Sequence, residues 1–286
     1  METVAIVGVG LIGGSFALAL RKTGFQGRIL GVSSPGTVKA ALARKVIDEA
    51  AALEEAVPQA DLVYLAQPIR RILTTLEELN PLLREGALVT DAGSTKAEIV
   101  RAAQRSVRRA QFLGGHPMAG KETRGVEEAE PDLFAGRTYV LTPEGPEDMQ
   151  TPAAREFLEW IRRIGGVPVF LGPEEHDQIV SWTSHLPQLA STALAATLAR
   201  RLGTEACGRV AGPGLRDMTR LAHSSYDIWR DILATNGPLI ERALDAYISE
   251  LRELRARLRG PDMGKQFETG ADFAARLRHA RQEENA

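Results

Sequence analysis

Along the first 172 residues, apolar and polar positions fall into blocks of two different periods. Short, mainly apolar runs have the length and composition of buried strands: Thr3–Val7, Arg28–Val32, Asp61–Ala66, Ala87–Asp91, Ala110–Gly114, Arg137–Leu141 and Val167–Leu171. Between them lie segments with apolar residues at helical spacing, namely Phe16 to Leu20, Ile69 to Leu83, Ala97 to Val107, and Phe157, Leu158, Ile161 and Ile164. Strand and helix in regular succession predict a doubly wound parallel α/β sheet, with its ligand crevice at the carboxyl ends of the strands. At Gly172-Pro173 the pattern changes. Glu174 to Leu202, Glu205 to Ala211, Leu215 to Ala222 and Tyr226 to about Leu258 read as helices, broken by Gly203 and by Gly212-Pro213-Gly214. Two domains are therefore expected, residues 1–172 and an all-α domain over 173–286. The Ala-, Ser- and Thr-rich run Ala190 to Leu198 lets helices approach closely, inside that domain or between two copies of it. The stretch Glu241 to Arg259 reads as a solvated amphipathic face, and the last ~25 residues as a polar tail.

The first strand runs straight into Gly8-Val9-Gly10-Leu11-Ile12-Gly13, and a helical pattern follows at once. Strand, glycine turn and helix in this register match the fingerprint of a dinucleotide-binding fold; the alternative is a tight strand-to-helix turn in another α/β protein. Gly8 makes the turn, Gly10 lets backbone approach phosphate, and Gly13 lets helix and strand pack. The free N–H groups of the first helical turn, at Leu11, Ile12 and Gly13, then face the anion. The second strand ends in Ser33-Ser34, where sites for NAD carry an acid on the ribose 2′-hydroxyl. An acid would repel a 2′-phosphate, whereas two hydroxyls donate to one, with Lys39 close in sequence; this favours NADP over NAD. The alternative is that Ser34 simply caps the next helix. Gln67-Pro68, Ser94 and His116 follow later strands and belong to the same sheet edge.

Composition narrows the partners. With 35 basic and 37 acidic residues the net charge is −2, so neither nucleic acid nor an anionic membrane finds an electrostatic footprint, and a small molecule is favoured. The single cysteine, Cys207, excludes an intramolecular disulfide framework and a multi-cysteine zinc site, and is expected to be a buried helix residue. No signal peptide precedes the first strand, and no apolar run approaches the ~18 residues of a membrane helix, so a cytoplasmic protein is expected.

Several polar residues sit where solvation alone does not explain them. His116 is held between Gly115 and Pro117 after a strand, in a position typical of binding residues. Ser184-His185-Leu186-Pro187-Gln188 lies inside a helical pattern, and Arg220 has apolar neighbours, with Asp217 as a possible structural ion-pair partner. His176-Asp177 falls at a helix start, where an Asp is expected anyway.

Gly114-Gly115-His116-Pro117-Met118-Ala119-Gly120, Asp91-Ala92-Gly93-Ser94-Thr95-Lys96, Ser184-His185-Leu186-Pro187 and Arg216-Asp217-Met218-Thr219-Arg220 together resemble the prephenate/arogenate dehydrogenase family of tyrosine biosynthesis. The resemblance spans residues 3 to 258 with all motifs in order. It implies a Rossmann domain, a helical domain that forms a homodimer, and oxidative decarboxylation of prephenate or arogenate with NAD or NADP. It also implies that His116 takes the proton of the substrate's ring hydroxyl, that Ser94 orients His116, and that His185 and Arg220 bind substrate, the latter through a carboxylate. Glu122 and Trp229 correspond to residues at the pocket mouth, and no metal is required. Gln188 stands where many prephenate-preferring relatives have histidine; a neutral amide there suits the zwitterionic side chain of arogenate. Neither a carboxy-terminal regulatory domain nor a fused mutase is expected, so any feedback by tyrosine would act at the active site. A β-hydroxyacid-type dehydrogenase is the alternative enzyme, but its usual lysine has no counterpart between Pro173 and Leu258. A non-catalytic nucleotide-sensing protein would not require His116, Ser94, His185 and Arg220 together.

Overall fold

In the computed structural model, which describes residues 1–260 and 262–283, the strands are β1 (Thr3–Val7), β2 (Arg28–Val32), β3 (Glu49–Ala50), β4 (Leu62–Leu65), β5 (Leu88–Asp91), β6 (Gln111–Pro117), β7 (Thr138–Thr142) and β8 (Val167–Phe170). They form one sheet in the order β3-β2-β1-β4-β5-β6-β7-β8. The first six strands are parallel, as the alternating pattern predicts. β7 then runs antiparallel to β6, with His116 opposite Val140, and β8 is parallel to β7. A parallel return needs a crossover, usually helical. The connection after β6 carries only a 3₁₀ turn at Val126–Glu128, and β7 pairs antiparallel.

Helices α1 (Leu11–Lys22), α2 (Pro35–Ala43), α3 (Leu53–Ala56), α4 (Ile69–Leu79), α5 (Ala97–Ser106) and α6 (Pro152–Arg163) link the strands. From β1 the chain builds outward through β2 and β3, then returns to place β4 on the other side of β1. The strand order thus reverses between β1 and β4, the position where such sheets open a crevice. Beneath it the core is aromatic. Phe16 of α1 stacks on Tyr64 of β4 at 4.1 Å between centroids, with Phe134 and Phe157 edge-on to Phe16. The Tyr139 hydroxyl donates to that of Tyr64 at 3.2 Å, satisfying a polar atom that would otherwise be stranded.

No strand follows Phe170 among the described residues. The helices there are α7 (Pro173–Val180), α8 (Leu186–Arg201), α9 (Gly203–Val210), α10 (Pro213–Thr219), α11 (Tyr226–Arg257) and α12 (Met263–Glu283). The helical run expected from Glu174 to Leu202 is continuous, but Ser181–His185 forms a π-helical turn inside it. Pro187, which has no N–H for the carbonyl one turn back, is the second residue after that turn. Asn236 breaks the helical path of α11 (φ −129°, ψ 15°) just ahead of Gly237-Pro238. Cys207 is half-buried on α9 rather than buried. Residues 263–283 of the expected polar tail are helix α12, and residues 284–286 lie outside the described residues.

By internal contacts the chain forms two units, Met1–Gly237 and Pro238–Ala286. The first contains the sheet together with α7 to α10. In the second, Gln266 of α12 donates to Glu250 of α11. Among the described residues no helix is long and apolar enough to cross a membrane.

Candidate active site

The glycine turn has the shape that a dinucleotide requires. Gly8 has φ +99°, and a Cβ there would lie 2.6 Å from the Ala66 carbonyl oxygen at the end of β4. A Cβ on Gly13 would lie 2.2 Å from the Gly8 carbonyl oxygen. Gly10 is different: a Cβ would meet nothing within 4 Å and would simply project into open space at the start of α1. Gly10 gives α1 no side-chain cap, and the first turn contains no acid. The N–H groups of Leu11, Ile12 and Gly13 are thus left for an anion, so these residues fit the pyrophosphate of a dinucleotide. Gln67 follows Ala66, its side-chain oxygen accepting from Thr75 at 2.9 Å, and Pro68 opens α4. At the end of β2 the Ser34 side chain is the N-cap of α2, accepting from Thr37 N at 3.4 Å, as the alternative assignment anticipated. Ser33 is exposed and has no side-chain hydrogen bond among the described residues.

His116 sits near the end of β6, only 8% exposed. Glycines bring its strand close to its neighbours: a Cβ on Gly115 would lie 2.6 Å from the Asp91 carbonyl oxygen. A completely buried ion pair stitches β5 to β6. The Lys96 ammonium donates to the Asp91 carboxylate and, at 2.7 Å, to the Gly115 carbonyl, while Gly93 N and Gly115 N donate to the two Asp91 oxygens at 2.8 and 3.1 Å. Burial pushes the Lys96 ammonium down, and Asp91 opposes that shift. The His116 imidazole is held well below its ordinary value by burial, with His176, Lys96 and His185 adding in the same direction. It is therefore uncharged at neutral pH.

The hydrogen-bond partner of His116 is not Ser94. Ser94 is half-buried on the turn into α5 and makes no side-chain hydrogen bond among the described residues. Instead His116 Nδ1 lies 2.8 Å from Nε2 of His176, whose Nδ1 lies 2.8 Å from Asp177 Oδ1. The Asp177 carboxylate also accepts from Lys96 N at 2.7 Å and Ala97 N at 2.9 Å, capping α5 from another segment of the chain. Asp177 is thus more than an acid at the start of its own helix.

His185 is buried in the π-helical turn, with Trp229 edge-on at 5.7 Å between centroids. Burial lowers it to about 4, with Asp177 pulling the other way. Asn236 Nδ2 donates to the Asp177 carbonyl at 2.9 Å and reaches His185 Nδ1 at 3.3 Å. Arg220 pairs with Glu122 at 2.8 Å, not with Asp217, and both are exposed. The Glu122 carboxyl is held low by its own backbone amide and by Arg220. Gln188, expected to touch substrate, is buried, and its amide nitrogen donates to the Leu221 carbonyl at 2.7 Å, anchoring the segment that carries Arg220. Asn236 is the residue that sequence patterns did not single out, and His176-Asp177 was read there only as a helix start. The available signal was the His-Asp pair itself, two candidate chemical groups in one helical turn.

Two family models cover most of the chain: the nucleotide-binding domain of prephenate dehydrogenase over residues 16–167, and its dimerization domain over 172–270. The chain is 36% identical over 280 residues to the prephenate dehydrogenase of Bacillus subtilis (strain 168), spanning 95% of this chain and 75% of that protein. Among solved structures it is similar to prephenate dehydrogenase from A. aeolicus in complex with hydroxyphenyl propionate and NAD+ (TM-score 0.87, 32% identity, 97% and 98% of the two chains). It is also similar to Synechocystis arogenate dehydrogenase (TM-score 0.79, 30% identity, 96% and 99%).

Proposed function

The chain belongs to the prephenate dehydrogenase family, and we propose on that premise that His116 is the proton acceptor in oxidative decarboxylation of a cyclohexadienol, prephenate or arogenate. One observation carries the assignment. His116 lies buried at the carboxyl edge of the sheet, on the edge that also presents the glycine cradle, and burial favours its neutral imidazole. Gly8, Gly10, Leu11, Ile12, Gly13, Gln67 and Pro68 would hold the nicotinamide dinucleotide, with Ser94 on the same sheet edge. When bound, that group supplies the acceptor for the hydride lost from the substrate's hydroxyl-bearing carbon. His116 takes the hydroxyl proton as that carbon is oxidised. Loss of carbon dioxide leaves its bonding electron pair to complete the aromatic ring, and His116 returns the proton to the resulting phenolate oxygen.

Arg220 binds a substrate carboxylate through its planar fork, in exchange for Glu122. His185, with Trp229 against it, faces the substrate ring. Gln188 acts indirectly, by holding the Arg220 segment. Residues 1–172 serve the cofactor; residues 173–286 supply substrate contacts and the homodimer surface. The end of β2 presents Ser33 and no carboxylate, which supports use of NADP in preference to NAD.

The test is turnover of prephenate and arogenate, each with NAD and NADP, following reduced cofactor, in the wild type and in His116→Asn. The substitution is expected to lower kcat by roughly 10²-fold or more, the scale of a lost general base, at unchanged cofactor affinity. A fully active variant would refute the role of His116. Faster turnover with NAD than with NADP would refute the cofactor preference.

A further inference from the structure

We propose that His176 and Asp177 are positioning residues that place the His116 proton on Nδ1, leaving Nε2 as the basic atom turned toward substrate. The proposal rests on the assignment of His116 as proton acceptor. A carboxylate only accepts hydrogen bonds, so the contact between His176 Nδ1 and Asp177 Oδ1 puts the His176 proton on Nδ1. With a single proton on the His176 ring, Nε2 is left with the lone pair. That lone pair faces His116 Nδ1 at 2.8 Å, so His116 is the donor in this contact. The only place left for the His116 lone pair is Nε2. The two rings meet edge to face, 5.0 Å between centroids, and both are buried, so water does not supply an alternative partner.

Asp177 is well placed to enforce this order. Its carboxylate is held by Lys96 N and Ala97 N at the start of α5, the helix that begins just after Ser94. The carbonyl of the same residue accepts from Asn236 Nδ2, which identifies the nitrogen of that amide. Asn236 Nδ2 also reaches His185 Nδ1 at 3.3 Å, so that atom is an acceptor and the His185 proton sits on Nε2. His116 and His185 thus carry opposite proton arrangements, one a base and the other a donor, and Asp177 sets both. As His116 takes a proton, its bond to His176 becomes charge-assisted and strengthens, stabilising the imidazolium as it forms.

Two measurements test this. The first is long-range proton–nitrogen NMR on the intact protein with 15N-labelled histidine; there are five histidines, assigned by single substitution. It is expected to show Nδ1–H on His116 and His176 and Nε2–H on His185; a His116 protonated on Nε2, or a doubly protonated His176, would overturn the proposal. The second is kinetic. His176→Leu removes the acceptor, whereas His176→Gln returns an oxygen near the position of Nε2. His176→Leu should lower kcat by about 30-fold or more, with the roughly 10⁴-fold cost of a wrong tautomer at a catalytic histidine as the upper scale. KM and cofactor affinity should stay within about twofold, and His176→Gln should restore kcat to within about fivefold of wild type. Equal kcat in the Leu variant and the wild type, or no difference between Leu and Gln, would overturn it. If His176→Leu does not fold, the NMR result on the wild type decides. An active His116→Asn would refute the assignment of the base and leave the tautomer result standing, so the two failures are distinguishable.

Discussion

Lys96→Met removes a cation from a site that neither water nor another protein cation reaches. Lys96 and Asp91 are both 0% exposed, and after the substitution the Asp91 carboxylate keeps, among the described residues, only Gly93 N and Gly115 N as donors, while the Gly115 carbonyl loses one. Breaking a buried pair from one side costs about 3–5 kcal/mol, because the remaining charge is stranded. Against a typical stability of about 5–15 kcal/mol, that is a large fraction of the whole. Removing both charges should be milder: in Asp91→Asn/Lys96→Met no buried charge remains, and the loss falls to about 1–3 kcal/mol for the backbone donor left unsatisfied. Urea unfolding followed by tryptophan fluorescence, at one fixed protein concentration so that self-association does not shift the midpoint, measures both variants. A loss below about 1 kcal/mol in Lys96→Met, or a double variant less stable than the single, would refute the electrostatic account of this junction.

The glycine turn separates two effects of one methyl group. Gly13→Ala, whose Cβ would sit 2.2 Å from a backbone oxygen, should lose about 1–3 kcal/mol of stability. Gly10→Ala, whose Cβ meets open space, should lose at most about 1 kcal/mol yet weaken dinucleotide binding, measured by titration; equal stability losses would count against the close-approach role. His185 is lowered to about 4, so between pH 4 and 6.5 the unfolded chain binds the proton that the folded one refuses, and stability falls as pH drops through this window. Urea midpoints should therefore drop by less in His185→Gln than in the wild type over that range; parallel curves would show that another group is responsible. Glu122→Gln frees Arg220 from an exposed pair and should lower the substrate KM by no more than a few-fold, whereas Arg220→Ala should raise it; a higher KM in Glu122→Gln would mean that Glu122 helps binding rather than competes with it.

Much of the molecule was legible from local pattern alone. Strand and helix blocks, the glycine turn and the end of strand content before Gly172 all depend on residues close in the chain, where period and glycine placement act directly on the backbone. The glycine cradle and His116 were legible for the same reason, since each sits at the end of a strand whose direction follows from the strand–helix alternation. What tertiary structure decided is which distant groups meet. Arg220 could pair with Asp217 three residues earlier or with Glu122 far upstream, and it pairs with Glu122. Gln188 could face substrate, and it holds the Leu221 carbonyl instead. His176-Asp177 had the sequence of a plain helix start. Only the docking of α7 against α5 and β6 turns that pair toward His116, because a hydrogen bond depends on positions to within tenths of an ångström, and those are set by packing across the fold rather than by neighbours in the chain.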